Sequence, residues 1–395
     1  MCNLVEYKMP IQKITIEEFL SLAKQYPVLD VRSPGEYTHA HIPSAHSLPL
    51  FTDEERKEVG TAYKQQSREA AIKIGLDFFG VKMKMLIEEV EMLFVSRFSL
   101  KNVDNSKTPN ERPITRNVLI HCWRGGMRSA AVAWLLDVYG FKVYVLTGGY
   151  KAYRKWVLSQ FERDYNFNII GGYTGSGKTL LLHELENQGK IIIDLEGLAN
   201  HKGSAFGAIE NKPQPGQEMF ENSLAQALAQ SAVCSGQFAK KANSPVPIAN
   251  CQLPTANCIW LEDESQRIGN LQIPMPLWYT MRKAPLFFVD VAFEERLHYI
   301  TDDYGKQDKT RLKDSILRIQ KRLGGLETKN AIKFLEENNY AACFRILLSY
   351  YDKWYYKGLH NRENISSLLN KIPCAGVDTK TNTQKLLSCN IVSAF

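Results

Sequence analysis

Apolar positions along this chain fall into two rhythms. Between Thr15 and Tyr26, residues Ile16, Phe19, Leu20 and Ala23 share one face at helical spacing, which predicts a helix. Short unbroken apolar runs follow: Val28-Leu29-Asp30-Val31, Asn117 to His121 and Val143 to Leu146. Unbroken runs fit strands buried on both faces, as in a parallel sheet. A predicted helix from Ser129 to Tyr139 separates the last two, and another from Tyr150 to Arg163 leads onward. The alternation then resumes with Asn168-Ile169-Ile170, a helix over Leu180 to Gln188, and the runs Ile191 to Asp194, Cys258 to Leu261 and Leu286 to Asp290. From Phe293 the period is helical; after Arg362 the composition is polar and no element is assigned.

Strands alternating with helices predict parallel α/β domains. Residues 1–160 form the first, with a largely helical insertion at about 53–116 that ends in an exposed polar loop, Lys101 to Pro113. Residues 161–300 form the second, and 301–395 a helical, basic region with a polar tail.

Hydrophobic residues make up 44% of the 395, enough for a sizeable core. The net charge of +7 permits a polyanionic partner without demanding one. Positive residues gather in the insertion (Arg56, Lys57, Lys64, Arg68, Lys73, Lys82, Lys84) and again over Arg311, Lys313, Arg318, Lys321 and Arg322. Eight cysteines are scattered with no CxxC pair, which argues against a zinc site or disulfide framework and fits a reducing compartment. No secretory leader and no membrane-length apolar run is read, so a cytoplasmic enzyme is expected.

Chemistry enters at two loops. His121-Cys122-Trp123-Arg124-Gly125-Gly126-Met127-Arg128-Ser129 sits between a strand and a helix. Inward backbone N–H groups, the helix dipole, Arg124 and Arg128 would lower the Cys122 pKa and bind an anion. The spacing suits a cysteine phosphatase, whose thiolate attacks phosphorus. It equally suits a sulfur carrier. Further on, Gly172-Tyr173-Thr174-Gly175-Ser176-Gly177-Lys178-Thr179 fits G-x-x-x-x-G-K-[ST] in full, after a strand and before a helix. Its amides would wrap a diphosphate, Lys178 would neutralise it, and Thr179 would admit magnesium. Two acidic segments, Asp194 to Gly207 and Leu261 to Gly269, either meet that magnesium or cap strand ends.

Asp30-Val31-Arg32-Ser33-Pro34-Gly35-Glu36-Tyr37 and His41 to Ala45, with the Cys122 loop, resemble the rhodanese homology domain over about residues 14–156. Taken with Val59 to Gln66, Gly148 to Ala152, the phosphate loop, both acidic segments, Arg322-Leu323-Gly324-Gly325 and Leu347 to Asp352, the chain resembles the tRNA 2-selenouridine synthases. These fuse a rhodanese domain to a P-loop domain. The resemblance implies a transferase acting on tRNA with a 5-substituted 2-thiouridine at the wobble position. The sulfur is geranylated from geranyl diphosphate, and selenium from selenophosphate then replaces the S-geranyl group.

On that resemblance Cys122 is the chalcogen-handling nucleophile, and Trp123, Arg124, Gly125, Gly126, Met127 and Arg128 form its selenophosphate loop. Gly172, Gly175, Ser176, Gly177, Lys178 and Thr179 hold the diphosphate, with an apolar slot nearby for the geranyl tail. Asp30, Arg32, Asp194, His201, Glu262, Asp263 and Arg267 take supporting places. No tightly bound cofactor is implied, and a selenophosphate-supplying enzyme is an expected partner. The basic helices would receive the tRNA backbone. Asn200, where an arginine is expected, and Lys353, where proline is expected, depart from the pattern. The alternative is a rhodanese-fold sulfurtransferase or cysteine phosphatase fused to a nucleotide-dependent kinase; a non-catalytic RNA-binding switch is the third reading.

Overall fold

The computed structural model describes residues 11–99, 116–201, 213–234, 258–305 and 308–392. The loop expected over Lys101 to Pro113, and Lys202 to Gly207 of the first acidic segment, lie outside them. The chain divides into two compact units, Met1–Leu158 and Ser159–Phe395.

The first unit runs β1 (Gln12–Ile14), α1 (Ile16–Leu22), β2 (Val28–Asp30), α2 (Pro34–His39), β3 (His46–Ser47), α3 (Asp53–Gln65), α4 (Arg68–Ser99), β4 (Asn117–His121), α5 (Met127–Val138), β5 (Lys142–Leu146) and α6 (Gly149–Gln160). Its five strands form one parallel sheet in the order β1-β5-β4-β2-β3. β2 and β4 are buried throughout, as unbroken apolar runs require. Thr15, Ser33 and Thr52 each start a helix through a capping box, with Glu18, Glu36 and Glu55 returning the bond. The insertion is α3 and α4. Phe79, Leu86 and Val90 of α4 join Leu48, Phe51, Val118, Ile120 and Val132 in the core, so the insertion packs on the sheet.

The second unit runs β6 (Phe167–Gly171), α7 (Lys178–Asn187), β7 (Ile191–Ile192), α8 (Leu195–Ala199), α9 (Gln217–Cys234), β8 (Ile259–Glu262), β9 (Arg267–Ile268), β10 (Leu271–Gln272), α10 (Met275–Lys283), β11 (Leu286–Val291), α11 (Phe293–Tyr304), α12 (Lys309–Leu323), α13 (Gly325–Glu336), α14 (Tyr340–His360), α15 (Ile365–Leu368), β12 (Leu369–Cys374) and α16 (Thr379–Val392). Its parallel sheet has the order β12-β11-β6-β8-β7. β9 and β10 make a small antiparallel hairpin. Helices α11 to α14 close a core of their own through Leu297, Ile300, Leu312, Ile316, Leu335, Phe344 and Leu347.

The polar tail departs from expectation. β12 pairs with β11 at six positions, Leu286↔Leu369 through Val291↔Cys374. Ile372, Cys374 and Leu386 enter the sheet's core. Asn370, Lys371 and Pro373 mask the strand in the sequence, and a proline is tolerated because β12 is an edge. No helix among the described residues is long and apolar enough to cross a membrane.

Candidate functional site

In the first unit, β4 delivers Cys122 to a tight loop and α5 starts five residues later. Two glycines let the loop close on the start of α6. Gly125 has φ +65, and a Cβ there would lie 2.7 Å from the Leu146 carbonyl oxygen. Gly149 has φ +58, and a Cβ there would strike the Cys122 carbonyl oxygen. The gap admits two backbone bonds: Tyr150 N–H to the Cys122 carbonyl at 2.8 Å, and Lys151 N–H to that of Trp123 at 3.0 Å.

The Cys122 thiol is 3% exposed. Its Sγ lies 3.3 Å from the Ser129 hydroxyl and accepts from the Gly126 N–H at 3.3 Å. Burial pushes the thiol pKa up. The Ser129 hydroxyl and the N–H groups of Ser129, Arg124 and Gly126 outweigh it, so the net shift is downward.

Arg128 is only partly available to an anion. It donates to Glu36 at 2.6 Å, and Arg56 reaches the same carboxylate at 3.2 Å. Burial would raise the Glu36 pKa, but the Arg128 pair dominates with Arg56 and the Ser33 N–H and lowers it to about 2. Arg124, Trp123 and Met127 face outward. Asp30 and Arg32, expected in supporting places, pair with each other. Both are buried, Arg32 donating two hydrogen bonds to the Asp30 carboxylate at 2.9 and 2.6 Å. Arg32 also donates to the Ala40 carbonyl at 2.8 Å and lies 3.9 Å from the Tyr150 ring. The pair braces the loop from beneath. The Cys122 loop also forms one wall of a cavity of about 720 Å³ shared with α3 and α4.

In the second unit the phosphate loop joins β6 to α7. Gly172, Gly175 and Gly177 all have positive φ, at +152, +82 and +77. Lys178 folds back to donate to the Gly172 carbonyl at 3.1 Å. The helical end of the unit holds the loop. Tyr355 accepts from the Gly172 N–H at 3.1 Å and donates to Asp263 at 2.8 Å. Arg296, 2% exposed, donates to the Thr174 carbonyl at 3.0 Å and is gripped by Asp352 at 2.9 and 2.7 Å.

β8 lies beside β6 with Glu262 opposite Ile170, which brings an acid to the loop at the carboxyl end of the sheet. Glu196, Glu262 and Glu264 there have carboxylate oxygens within 4.8 Å of one another. Thr179 donates to Glu196 at 3.4 Å. Glu262 is 2% exposed and its Oε1 has no hydrogen-bond partner. Burial, then Glu196, pushes its pKa up to about 8 against the pull of Lys178. Burial with the Glu196 and Glu262 charges pushes Glu264 up as well. Three crowded carboxylates and an orphaned oxygen beside Thr179 fit a divalent cation.

The pattern of the family described as "tRNA 2-selenouridine synthase AAA domain" matches residues 165–254 and 246–371. A protein named tRNA 2-selenouridine synthase from Hydrogenovibrio crunogenus is 32% identical over 363 residues, covering 84% of this chain and 89% of its own. The chain belongs to the tRNA 2-selenouridine synthase family. Family members of the same name from Pseudomonas putida F1 (33% over 333 residues; 79% of this chain, 78% of its own) and Sulfurovum sp. NBC37-1 (30% over 362; 85% and 88%) agree.

Within this family member, the supporting residues separate. Glu262 stands beside Lys178 and Thr179. Asp194 caps α8, accepting from Gly197 N–H at 2.7 Å, and faces His183 at 3.3 Å. Asp263 serves Tyr355 and Arg362. Arg267 donates to the Gly269 carbonyl within the β9–β10 hairpin. His201 has its pKa lowered by burial and then by Arg318, and its backbone N–H donates to the Glu196 carbonyl at 3.0 Å. Asn200 ends α8 in the left-handed conformation, φ +49, which asparagine tolerates better than arginine. Sequence reasoning did not single out Glu36, Glu196, Glu264, Arg296 or Tyr355. Glu196 and Glu264 carried a usable signal, since both lie within the two acidic segments expected to meet magnesium.

Proposed function

We propose that this chain converts 2-thiouridine at the wobble position of tRNA into 2-selenouridine by way of an S-geranyl intermediate. The observation that carries the reading is the pairing, in one family member, of an activated buried thiol with a complete phosphate loop beside three glutamates. Neither loop alone would distinguish this chemistry from a phosphatase or a kinase.

In the first step the thiocarbonyl sulfur attacks C1 of geranyl diphosphate. The carbon–oxygen bond breaks, diphosphate leaves, and the nucleoside N3 proton is lost. Loop amides and Lys178 hold the leaving diphosphate where its charge develops. Glu196, Glu262 and Glu264 with the Thr179 hydroxyl would hold magnesium, which would neutralise the same charge. In the second step selenium attacks C2, geranylthiolate leaves, and hydrolysis of the selenium–phosphorus bond releases phosphate. Cys122, with the loop amides, Arg124 and Arg128, would handle the selenophosphate anion. The basic stretches around Lys64 and Arg311 to Arg322 would take the RNA backbone.

Nucleoside mass spectrometry tests this. Purified protein, 2-thiouridine tRNA and geranyl diphosphate should give the geranylated nucleoside, and added selenophosphate should give 2-selenouridine. Lys178→Ala should lose the first product, and Cys122→Ser the second when pre-geranylated tRNA is supplied. Neither product from folded wild type would return both loops to the phosphatase or kinase reading.

A further inference from the structure

The cavity walled by the Cys122 loop is mostly apolar: Leu50, Phe51, Val59, Ile72, Leu76 and Phe79 line it, with Cys122 in the same wall. Lys57, Lys64 and Arg124 border the same space, and among the described residues no carboxylate pairs with them. Arg56 and Arg128 border it too, sharing Glu36. An apolar chamber edged with cations fits an apolar chain attached to a polyanion.

Size agrees. At about 30 Å³ for a methylene-sized group, close to a water's share of the liquid, ten carbons need about 300 Å³. The chamber holds about 720 Å³. Leu76 and Tyr63, which line it, are left 58% and 54% exposed, apolar surface that an occupant would cover.

We propose that this cavity takes the apolar S-alkyl group of the modified nucleoside, a geranyl chain on sulfur, and so presents the adjoining carbon–sulfur bond to Cys122. The inference rests on the geranylation reading above for the identity of the chain. It adds a slot at the cysteine loop for the transferred chain to the one the resemblance implies beside the phosphate loop for the geranyl diphosphate tail. The cavity then selects the substrate of the second step.

Gly60 of α3 supplies the test. It lines the cavity, and a Cβ there meets nothing within 4 Å. Replacing a mid-helix glycine favours the helix, so Gly60→Phe fills space without a backbone penalty, and Gly60→Ala is its control. Full-length protein is titrated with synthetic anticodon stem-loops carrying S-geranyl-2-thiouridine, S-methyl-2-thiouridine or 2-thiouridine.

Wild type should bind the S-geranyl RNA at least about ten-fold more tightly than the S-methyl RNA. Gly60→Phe should shrink the preference below about two-fold, and Gly60→Ala should keep it. Equal binding by wild type, or an unchanged preference in Gly60→Phe of native melting temperature, overturns the proposal. Should Gly60→Phe fail to fold, alkylation of wild-type Cys122 by iodoacetamide, read by peptide mass, decides. S-geranyl RNA should slow it at least about ten-fold more than S-methyl RNA; equal protection overturns the proposal. The RNA arrives already geranylated, so failure of transfer from geranyl diphosphate would count against the phosphate-loop reading and leave this result intact.

Discussion

Arg128 donates to Glu36 at 2.6 Å across 92 positions of sequence. The guanidinium beside the cysteine loop is therefore shared with a carboxylate before any anion arrives, and it sits at the start of α5, where a cation is unfavourable without such a partner. The pair's contribution follows the ionisation of Glu36. Its folded pKa of about 2 lies below the ordinary 4.5, so the stabilisation is complete above pH 4.5 and fades as pH falls toward 2. Glu36→Gln should cost about 2 kcal/mol at pH 7, discounted for partial solvent access. Urea unfolding across pH should show the gap to wild type closing below pH 4.5.

Ser129 is the side-chain hydroxyl in contact with the Cys122 sulfur. Ser129→Ala removes a hydroxyl 3.3 Å from Sγ and leaves burial unopposed at that contact. The Cys122 pKa should rise, and iodoacetamide alkylation at pH 7 should slow about ten-fold, the worth of one hydrogen bond to a charged group. An unchanged rate profile would assign the activation to the backbone amides alone.

Glu262 gives the opposite pH dependence. Its folded pKa of about 8 lies above 4.5, so the buried carboxylate costs nothing below pH 4.5 and its penalty grows as pH rises to about 8. Without divalent cations, Glu262→Gln should match wild type near pH 4.5. It should be more stable at pH 8 by an amount on the order of 3 kcal/mol. Magnesium should raise the wild-type melting temperature at pH 8 and raise that of the variant much less. Calorimetry with and without magnesium checks both.

Asp352 holds a buried arginine. Asp352→Asn leaves the Arg296 charge uncompensated and should destabilise the second unit by about 3 kcal/mol. Arg296 also holds the Thr174 carbonyl, so the damage should reach the phosphate loop: diphosphate affinity, by calorimetric titration, should fall before global unfolding.

Both sheets were readable because doubly covered parallel strands are unbroken apolar runs, and both loops because glycines with positive φ stand beside a cysteine or a lysine. The lowered Cys122 pKa was readable from its loop, but the ion pairs around the loop were not. Glu36 sits in the local capping box of α2, and nothing near it announces a second use 92 residues away. Asp30 and Arg32 were expected as supporting residues from the resemblance alone; that they support by pairing with each other is visible only in the structure. β12 was hidden by a lysine and a proline that only an edge strand accepts.

That edge strand imposes an order on the making of the molecule. The ribosome releases the phosphate loop long before Leu369 to Cys374, and until then β11 has no outer neighbour. From Val291 until Leu369 is made, a nascent chain thus carries an open, apolar sheet edge, the kind of surface chaperones shield and aggregates recruit. Val377, just past that strand, lies against Gly177, so the phosphate loop gains this wall only after about two hundred further residues have been translated.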